Sequence, residues 1–454
     1  MSALVSLMRS LWVHLVIILS GLVAFFRLVG LGLACLVGRD GTVGSRLGAA
    51  LTAPGGQRLL TTVARAFVPN LALRYKAITA YDNGGTVIVT RFSDVKEVLA
   101  RDDDFEVVYG PRMTQITGGA NFFLGMQDSP EYTRDVSNMR LAIRRTDLPV
   151  IVQQIVSDTA AEMVKQVKGR IDVPQDLSLR VPARLVEQYF GTPGPSEKEL
   201  IEWTTTLFWY LFLDLKADPT FDARALEVMN IYRAQLDDVI AQRKAHPTST
   251  DDILNRCLAM QQAGLPGMDD LGIRNNLIGL VIGAIPTTSK AAVQALDQLL
   301  NRPAILEGAQ SAARNGDDEL LARYVFEALR FNPLNPAIYR RANKDTQIAA
   351  NTLRAVRVRK SDMVLAFNFS AMFDRLKVEH PEVFSIDRPW DNYILWGDGL
   401  HTCFGSHINQ VTIPGMLKPL LRKKNLRRAA GLPGKIDCGG TPFPVHMWVE
   451  FDPT

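Results

Sequence analysis

The chain has 454 residues, 47% of them hydrophobic and 22% charged, which is enough apolar material for a large buried core. A net charge of +4 is modest for that size and gives no reason to invoke nucleic acid. The four cysteines, Cys35, Cys257, Cys403 and Cys438, stand far apart without a pairing pattern, which argues for free thiols in a reducing compartment.

Residues 11–26 carry no charge, Arg27 follows, and a second apolar run covers residues 28–37. Extended to Gly32 the segment reaches the roughly 20 apolar residues that a bilayer-spanning helix needs. Arg27 would snorkel near one end, and Trp12, Phe25 and Phe26 suit interfacial positions. Only Arg9 precedes the segment, whereas Arg39, Arg46, Arg58 and Arg65 follow it, so the positive-inside bias puts the large C-terminal part in the cytoplasm. The rival reading is a cleaved signal peptide, with Ala34-Cys35 as a lipoprotein-like site that Gly32 spoils. A retained anchor is the preferred reading. The expected organisation is therefore an anchor over residues 1–37, a linker rich in Gly, Ala and Thr over 38–70, and a catalytic body over 71–454.

Within the body, Thr86-Val-Ile-Val-Thr90 predicts a β-branched strand. Asp94 to Ala100 predicts an amphipathic helix opened by a Ser93/Asp94 cap and closed by the acidic run before Phe105. Asp128-Ser-Pro-Glu-Tyr132-Thr-Arg134 opens a helix that continues through Val136 and Arg140. The run from Val181 to Pro193 is an amphipathic helix with a Gly/Pro stop. Residues 204–215 are unusually aromatic, with Phe208, Trp209, Tyr210 and Phe212.

Asn275 to Leu300 is the longest helical pattern, lined by small residues at Gly279, Gly283 and Ala284 and interrupted by Pro286-Thr287-Thr288. Proline lacks an N–H and would free the carbonyl of Ile282, so a kink is expected. Residues 320–330 form a helix with Glu327 and Arg330 on one face. A strand-like stretch, Pro336-Ala-Ile-Tyr-Arg340-Arg341, follows. After residue 405 a helix runs to Leu421, with Pro414 expected to bend it. The basic run Arg422-Lys-Lys-Asn-Leu-Arg-Arg428 and an alternating tail at 442–451 close the chain.

The chemistry concentrates in Trp396-Gly397-Asp-Gly399-Leu-His401-Thr-Cys403-Phe404-Gly405. Glycines permit a sharp turn or a close approach to a flat ligand. A thiolate at Cys403 would ligate a soft or borderline metal, with turn and helix N-terminal N–H groups stabilising its charge. Three other readings stand beside that one. Cys403 could be a buried structural thiol; His401, Cys403 and His407 could hold zinc; or Cys403 and a histidine could form a nucleophile pair.

This loop resembles the heme-binding loop of the cytochrome P450 family, departing in Trp396 where the family has Phe. The resemblance extends from about Thr86 to Phe451 and implies a mainly α fold with small β-sheets, a single large catalytic domain behind the N-terminal apolar helix. It implies heme b with Cys403 as the axial thiolate and metal ligand, packed among Trp396, Gly397, Phe404 and Gly405. It also implies that Arg340 (Arg341 as alternate) and His401 serve the heme propionates. Tyr132 stands where the family has a propionate-binding His, Val136 where it has Arg, and Arg140 is a substitute one turn on. Glu327, Arg330 and Arg388 match the family's structural Glu-x-x-Arg and meander arginine.

In the helix over the distal face of the heme, Ala284 replaces a glycine and Pro286 replaces the acid, while Thr287 and Thr288 remain. The implied activity is oxygen insertion into a lipophilic small molecule, with electrons from a ferredoxin or reductase docking at the basic run and the enzyme held at a membrane. Loss of the acid at Pro286 raises a second expectation: peroxide-driven oxidation, or isomerisation or dehydration of a lipid hydroperoxide.

Overall fold

The computed structural model describes residues 2–38, 41–120 and 122–452, with side chains in the first helix described at residue 8 and from residue 11 onward. Arg39 and the side chain of Arg9, both used in the charge-bias reading, lie outside the described residues. The chain is mainly helical with small sheets, as expected, and it gathers into two compact units. One comprises the chain up to Ile78, Asp82–Glu106 and Arg330–His401; the other comprises Thr79–Tyr81, Val107–Leu329 and the chain from Thr402.

The first unit begins with one continuous helix, Ser2–Val37. Leu11, Leu15, Ile18, Leu22, Phe25, Val29, Leu33 and Leu36 are exposed at three- and four-residue spacing, forming an outward apolar stripe. Ile17 and Ala24 on the other side are buried. Gly21 lets this helix seat against its neighbour, because a Cβ there would lie 2.3 Å from the Cβ of Ala66.

That neighbour corrects one expectation. Residues 38–70 are not a bare linker but carry two helices, Val43–Thr52 and Pro54–Phe67. The Thr42 side chain accepts from the Ser45 N–H and caps the first; Pro54 opens the second. Buried Arg65 then fastens the second helix by donating to the carbonyl and hydroxyl of Ser370, at 2.9 and 2.8 Å. A composition rich in small residues concealed helices that are held by tertiary contacts.

The five-stranded sheet of this unit has the order Asn70–Leu73, Thr86–Val89, Met363–Ala366, Ile338–Ala342, Phe105–Glu106. Thr86–Val89 pairs parallel with Met363–Ala366, and the other pairings are antiparallel. Val87, Val89, Val364 and Ala366 point into a core shared with Val95, Val98 and Leu99 of the helix Phe92–Ala100. That helix starts earlier than the expected Ser93/Asp94 cap. Its terminal Phe92 N–H donates to Asp374 at 3.0 Å, and Asp94 is instead paired with Arg354 at 2.9 Å. A carboxylate 282 residues away caps the helix, which local sequence cannot reveal.

The second unit is built around the helix Asp270–Leu300, capped by Asp269, whose side chain accepts from the Gly272 N–H at 2.7 Å. The helix continues unbroken through Pro286. Helices Pro130–Ala142, Gln153–Gln166, Glu197–Phe208, Pro219–Ala245 and Ser406–Leu421 belong to the same unit. The last also persists through Pro414 and Pro419. The aromatic stretch expected at 204–215 is the end of Glu197–Phe208 together with a wider helical turn, Trp209–Leu213. The alternating tail contributes Trp448–Glu450 to a three-stranded sheet between Arg170–Asp172 and Arg427–Arg428.

Candidate functional site

In the first unit, Gly397 and Gly399 adopt φ of +78° and +71°. A Cβ at Gly399 would lie 2.3 Å from the carbonyl oxygen of Leu99, so glycine is required there for both conformation and space. Trp396 packs on Trp390 with centroids 5.6 Å apart. Arg340 and Arg341 sit on adjacent strand positions and so face opposite ways. Arg341 is committed to Glu106, with its Nε 2.7 Å from the carboxylate, which removes it as the alternate cofactor ligand. Arg340 is 3% exposed; one guanidinium nitrogen donates to the carbonyl of Tyr339 at 3.0 Å, and its Nε has no hydrogen-bond partner among the described residues. Burial, and then the charge of Arg340, pull His401 down to about 3, so the ring is held neutral beside a cation. An orphaned, buried guanidinium N–H beside such a histidine is a site short of negative charge.

Arg330 is fully buried, donates to the carbonyls of Met372 and Val383 at 3.1 and 3.3 Å, and lies over the rings of Phe331 and Phe373. Arg388 donates to the carbonyls of Glu379 and Val383, both at 3.0 Å. Glu327, in the second unit, is also fully buried.

Also in the second unit, Cys403 precedes the helix Ser406–Leu421, and its carbonyl accepts the backbone N–H of Ser406 at 3.2 Å. Burial pushes the thiol pKa up, and the nearby amides of Gly405 and Ser406 pull it back. Phe404 packs on Phe123 at 5.4 Å, and Phe123 packs on buried Tyr132 at 6.4 Å. Tyr132 therefore reaches the cysteine segment through one intervening ring. Phe122 and Phe123 did not emerge from the sequence. Phe122 fills the notch of Gly279, where a Cβ would lie 2.3 Å from its ring. Arg140 is exposed; its charge and that of Arg145 add to burial in lowering the pKa of His407. Among the described residues, no group of three or more His, Cys, Asp or Glu side chains gathers to hold a metal ion, which leaves the zinc reading without a ligand set.

The helix Asp270–Leu300 divides its candidate residues by face. Gly283, Ala284, Thr287 and Lys290 are half-buried at helical spacing, while Ile285, Pro286 and Thr288 are buried. A Cβ at Gly283 would meet nothing within 4 Å. Thr287 donates back to the Gly283 carbonyl. Thr288 points the other way and donates to Asn409 Oδ1 at 2.9 Å, joining this helix to the one that follows Cys403. Asn409 was likewise invisible in the sequence, because its partner is 121 residues away.

Much of the basic run is engaged internally. Arg422 donates to the carbonyl of Ala313, Arg427 pairs with Glu450, and Arg428 pairs with Asp297 at 2.7 Å.

The sequence model described as Cytochrome P450 matches residues 74–427. A steroid C26-monooxygenase of Mycolicibacterium smegmatis is 24% identical, with 82% of this chain and 89% of the relative covered. A bifunctional dioxygenase-epoxy alcohol synthase of Fusarium oxysporum is 26% identical over 63% of this chain, which spans only 26% of that longer protein. The solved structure of P450BioI, in complex with acyl carrier protein carrying hexadec-9Z-enoic acid, superposes with a TM-score of 0.74 at 19% identity, covering 89% of this chain and all of that one. The fold, the glycine-bent cysteine segment and the family match over residues 74–427 converge: the chain belongs to the cytochrome P450 family and is an oxidoreductase of the heme-dependent monooxygenase type.

Proposed function

We propose that this protein inserts one oxygen atom into a lipophilic small molecule, with Cys403 as the axial thiolate of heme b. The observation that carries the reading is the half-buried Cys403 thiol at the start of the helix Ser406–Leu421, bracketed by the glycine-bent turn before it and the Gly405 and Ser406 amides after it. Cys403 would hold the heme iron as a thiolate, and a thiolate ligand would favour O–O cleavage when the group is bound. Arg340 and His401 would bind propionates, because an unpartnered guanidinium N–H and a neutral imidazole offer the donors that a dianionic porphyrin edge lacks. Trp396, Gly397, Phe404, Gly405 and Tyr132 would pack against the macrocycle, with Arg140 as a further cation. Glu327, Arg330 and Arg388 would hold the surrounding backbone.

Ala284 and Thr287 present the face for oxygen chemistry. The Thr287 hydroxyl, donating to the Gly283 carbonyl, is the one alcohol on that face able to hold a proton for delivery. Net monooxygenation places one atom of dioxygen in the substrate and releases the other as water, consuming two electrons and two protons. The electrons would come from a ferredoxin or reductase docking where Lys424 and its neighbours remain exposed. The outward apolar stripe of the first helix supports attachment to a membrane, and the arginines that follow it favour a cytoplasmic body.

Pro286 favours a second reading. With no carboxylate at that position, a reaction that starts from a peroxide or lipid hydroperoxide dispenses with proton delivery to dioxygen. One relative is named a bifunctional dioxygenase-epoxy alcohol synthase, which is compatible with this second reading. Two measurements test the pair. Reduced protein treated with carbon monoxide should show the strongly red-shifted Soret band of thiolate ligation, lost in Cys403→Ala. Turnover with reductase and NAD(P)H, set against turnover with hydroperoxide, then separates the two activities. Protein that takes up no heme ends both readings.

A further inference from the structure

Lys290 is one turn beyond Thr287 on the half-buried face of the helix Asp270–Leu300, seven residues after Gly283. Its ammonium lies 5.9 Å from the ring centroid of Phe443. Phe443 continues an aromatic chain: Phe208 at 6.0 Å, Phe212 4.6 Å beyond, and Tyr109 a further 4.7 Å on. Among the described residues no carboxylate pairs with Lys290, and its ammonium makes no hydrogen bond. A lysine in such a setting either releases its proton or waits for an anion.

Burial lowers its pKa to about 8, and Cys438, the ionisable group that acts on it, only partly offsets this. The ammonium form is still substantially populated at neutral pH. The half-buried ammonium stands beside the Phe443 ring and Cys438, on the helix face that also carries Thr287. That combination selects an amphipathic ligand: an apolar body against the aromatic chain and a single negative charge at Lys290.

Resting on the function proposed above, we infer that Lys290 is a specificity-determining residue that anchors the carboxylate of a long-chain carboxylic acid substrate. A neutral ester or alcohol of the same chain would leave the lysine desolvated and unpaired.

The test uses the full-length protein and isothermal titration calorimetry with palmitic acid and methyl palmitate, on wild type, Lys290→Gln and Lys290→Arg. The acid should bind wild type at least tenfold more tightly than the ester. Lys290→Gln should erase that preference by weakening acid binding while leaving the ester unchanged, and Lys290→Arg should retain it. Equal binding of acid and ester by wild type overturns the inference, as does an acid preference that survives in Lys290→Gln. Absence of a heme Soret band would instead sink the heme reading, since calorimetry reports acid binding with or without a chromophore.

Discussion

Arg330 and Arg388 donate to one and the same acceptor, the carbonyl oxygen of Val383, at 3.3 and 3.0 Å. Arg330 reaches it from a fully buried helical position, whereas Arg388 approaches from a partly exposed turn. The two guanidinium groups thereby fix one short segment from two sides. Their contributions should be unequal. Arg330→Ala removes the donors to the Met372 and Val383 carbonyls and the cation over Phe331 and Phe373, and should cost about 3–5 kcal/mol. Arg388→Ala should cost about 1 kcal/mol. Urea unfolding midpoints of the two variants check this, and equal losses would contradict it.

Gly399→Ala should be among the most damaging single-methyl changes in the chain. The positive φ alone costs on the order of 1–3 kcal/mol in a non-glycine residue, and the added carbon collides with the Leu99 carbonyl at 2.3 Å. Gly283→Ala, where the added carbon meets open space, should leave thermal stability nearly unchanged. Parallel thermal melts distinguish the two.

Thr287 and Thr288 are adjacent but serve different ends. Thr288→Val leaves the half-buried Asn409 Oδ1 without its donor and should lower stability by about 1 kcal/mol. Thr287→Val should leave stability within about 0.5 kcal/mol while reducing coupled oxygen insertion. Denaturation curves alongside product-to-NAD(P)H ratios separate the roles.

Pro286→Glu restores a carboxylate next to Thr287. Reductase-supported turnover should rise several-fold while hydroperoxide-supported turnover stays level or falls. If neither rate moves, proton supply at that position does not govern the choice of oxidant.

Lys290 also gives a pH dependence of stability. Its folded-state pKa of about 8 is below the ordinary 10.5. Between those values the unfolded chain holds a proton that the folded chain has released, so stability rises with pH through that window. Below pH 8 both states are protonated and the desolvation cost of the charge is present in full. Lys290→Met should remove this slope, as read from urea midpoints at pH 7.5 and 10. Carboxylic acid affinity in wild type should run the other way, falling as pH passes 8.

The cysteine segment was legible because backbone geometry there demands specific residues: glycine at 397 and 399 reports positive φ, and no other residue type satisfies Leu99 at Gly399. The long helix was legible from its apolar run, although that run begins only at Asn275 and misses the first turn capped by Asp269. What stayed hidden depends on partners remote in sequence. Asp374 caps a helix 282 residues away, and Asn409 claims one of two adjacent threonines. The division between Arg340 and Arg341 could be anticipated only as an alternation; which one meets Glu106 is set by sheet register. Residues 43–67 misled because glycine and alanine read as flexibility, whereas small residues there allow close helix packing. Lys290 carries no sequence signal, since a lysine in a helix is most often a solvated one.

The notch at Gly21 has a practical consequence. Because the first helix is pressed against Ala66, it is a mast stepped into the body rather than a slack leash. Cutting the chain after Val37 to obtain a freely soluble enzyme would uncover the flank beside Ala66 and Phe67, and the shortened protein would clump more readily than the full-length one. A milder route to solubility is to keep the mast and replace the outward leucines at 15, 22 and 33 with polar residues.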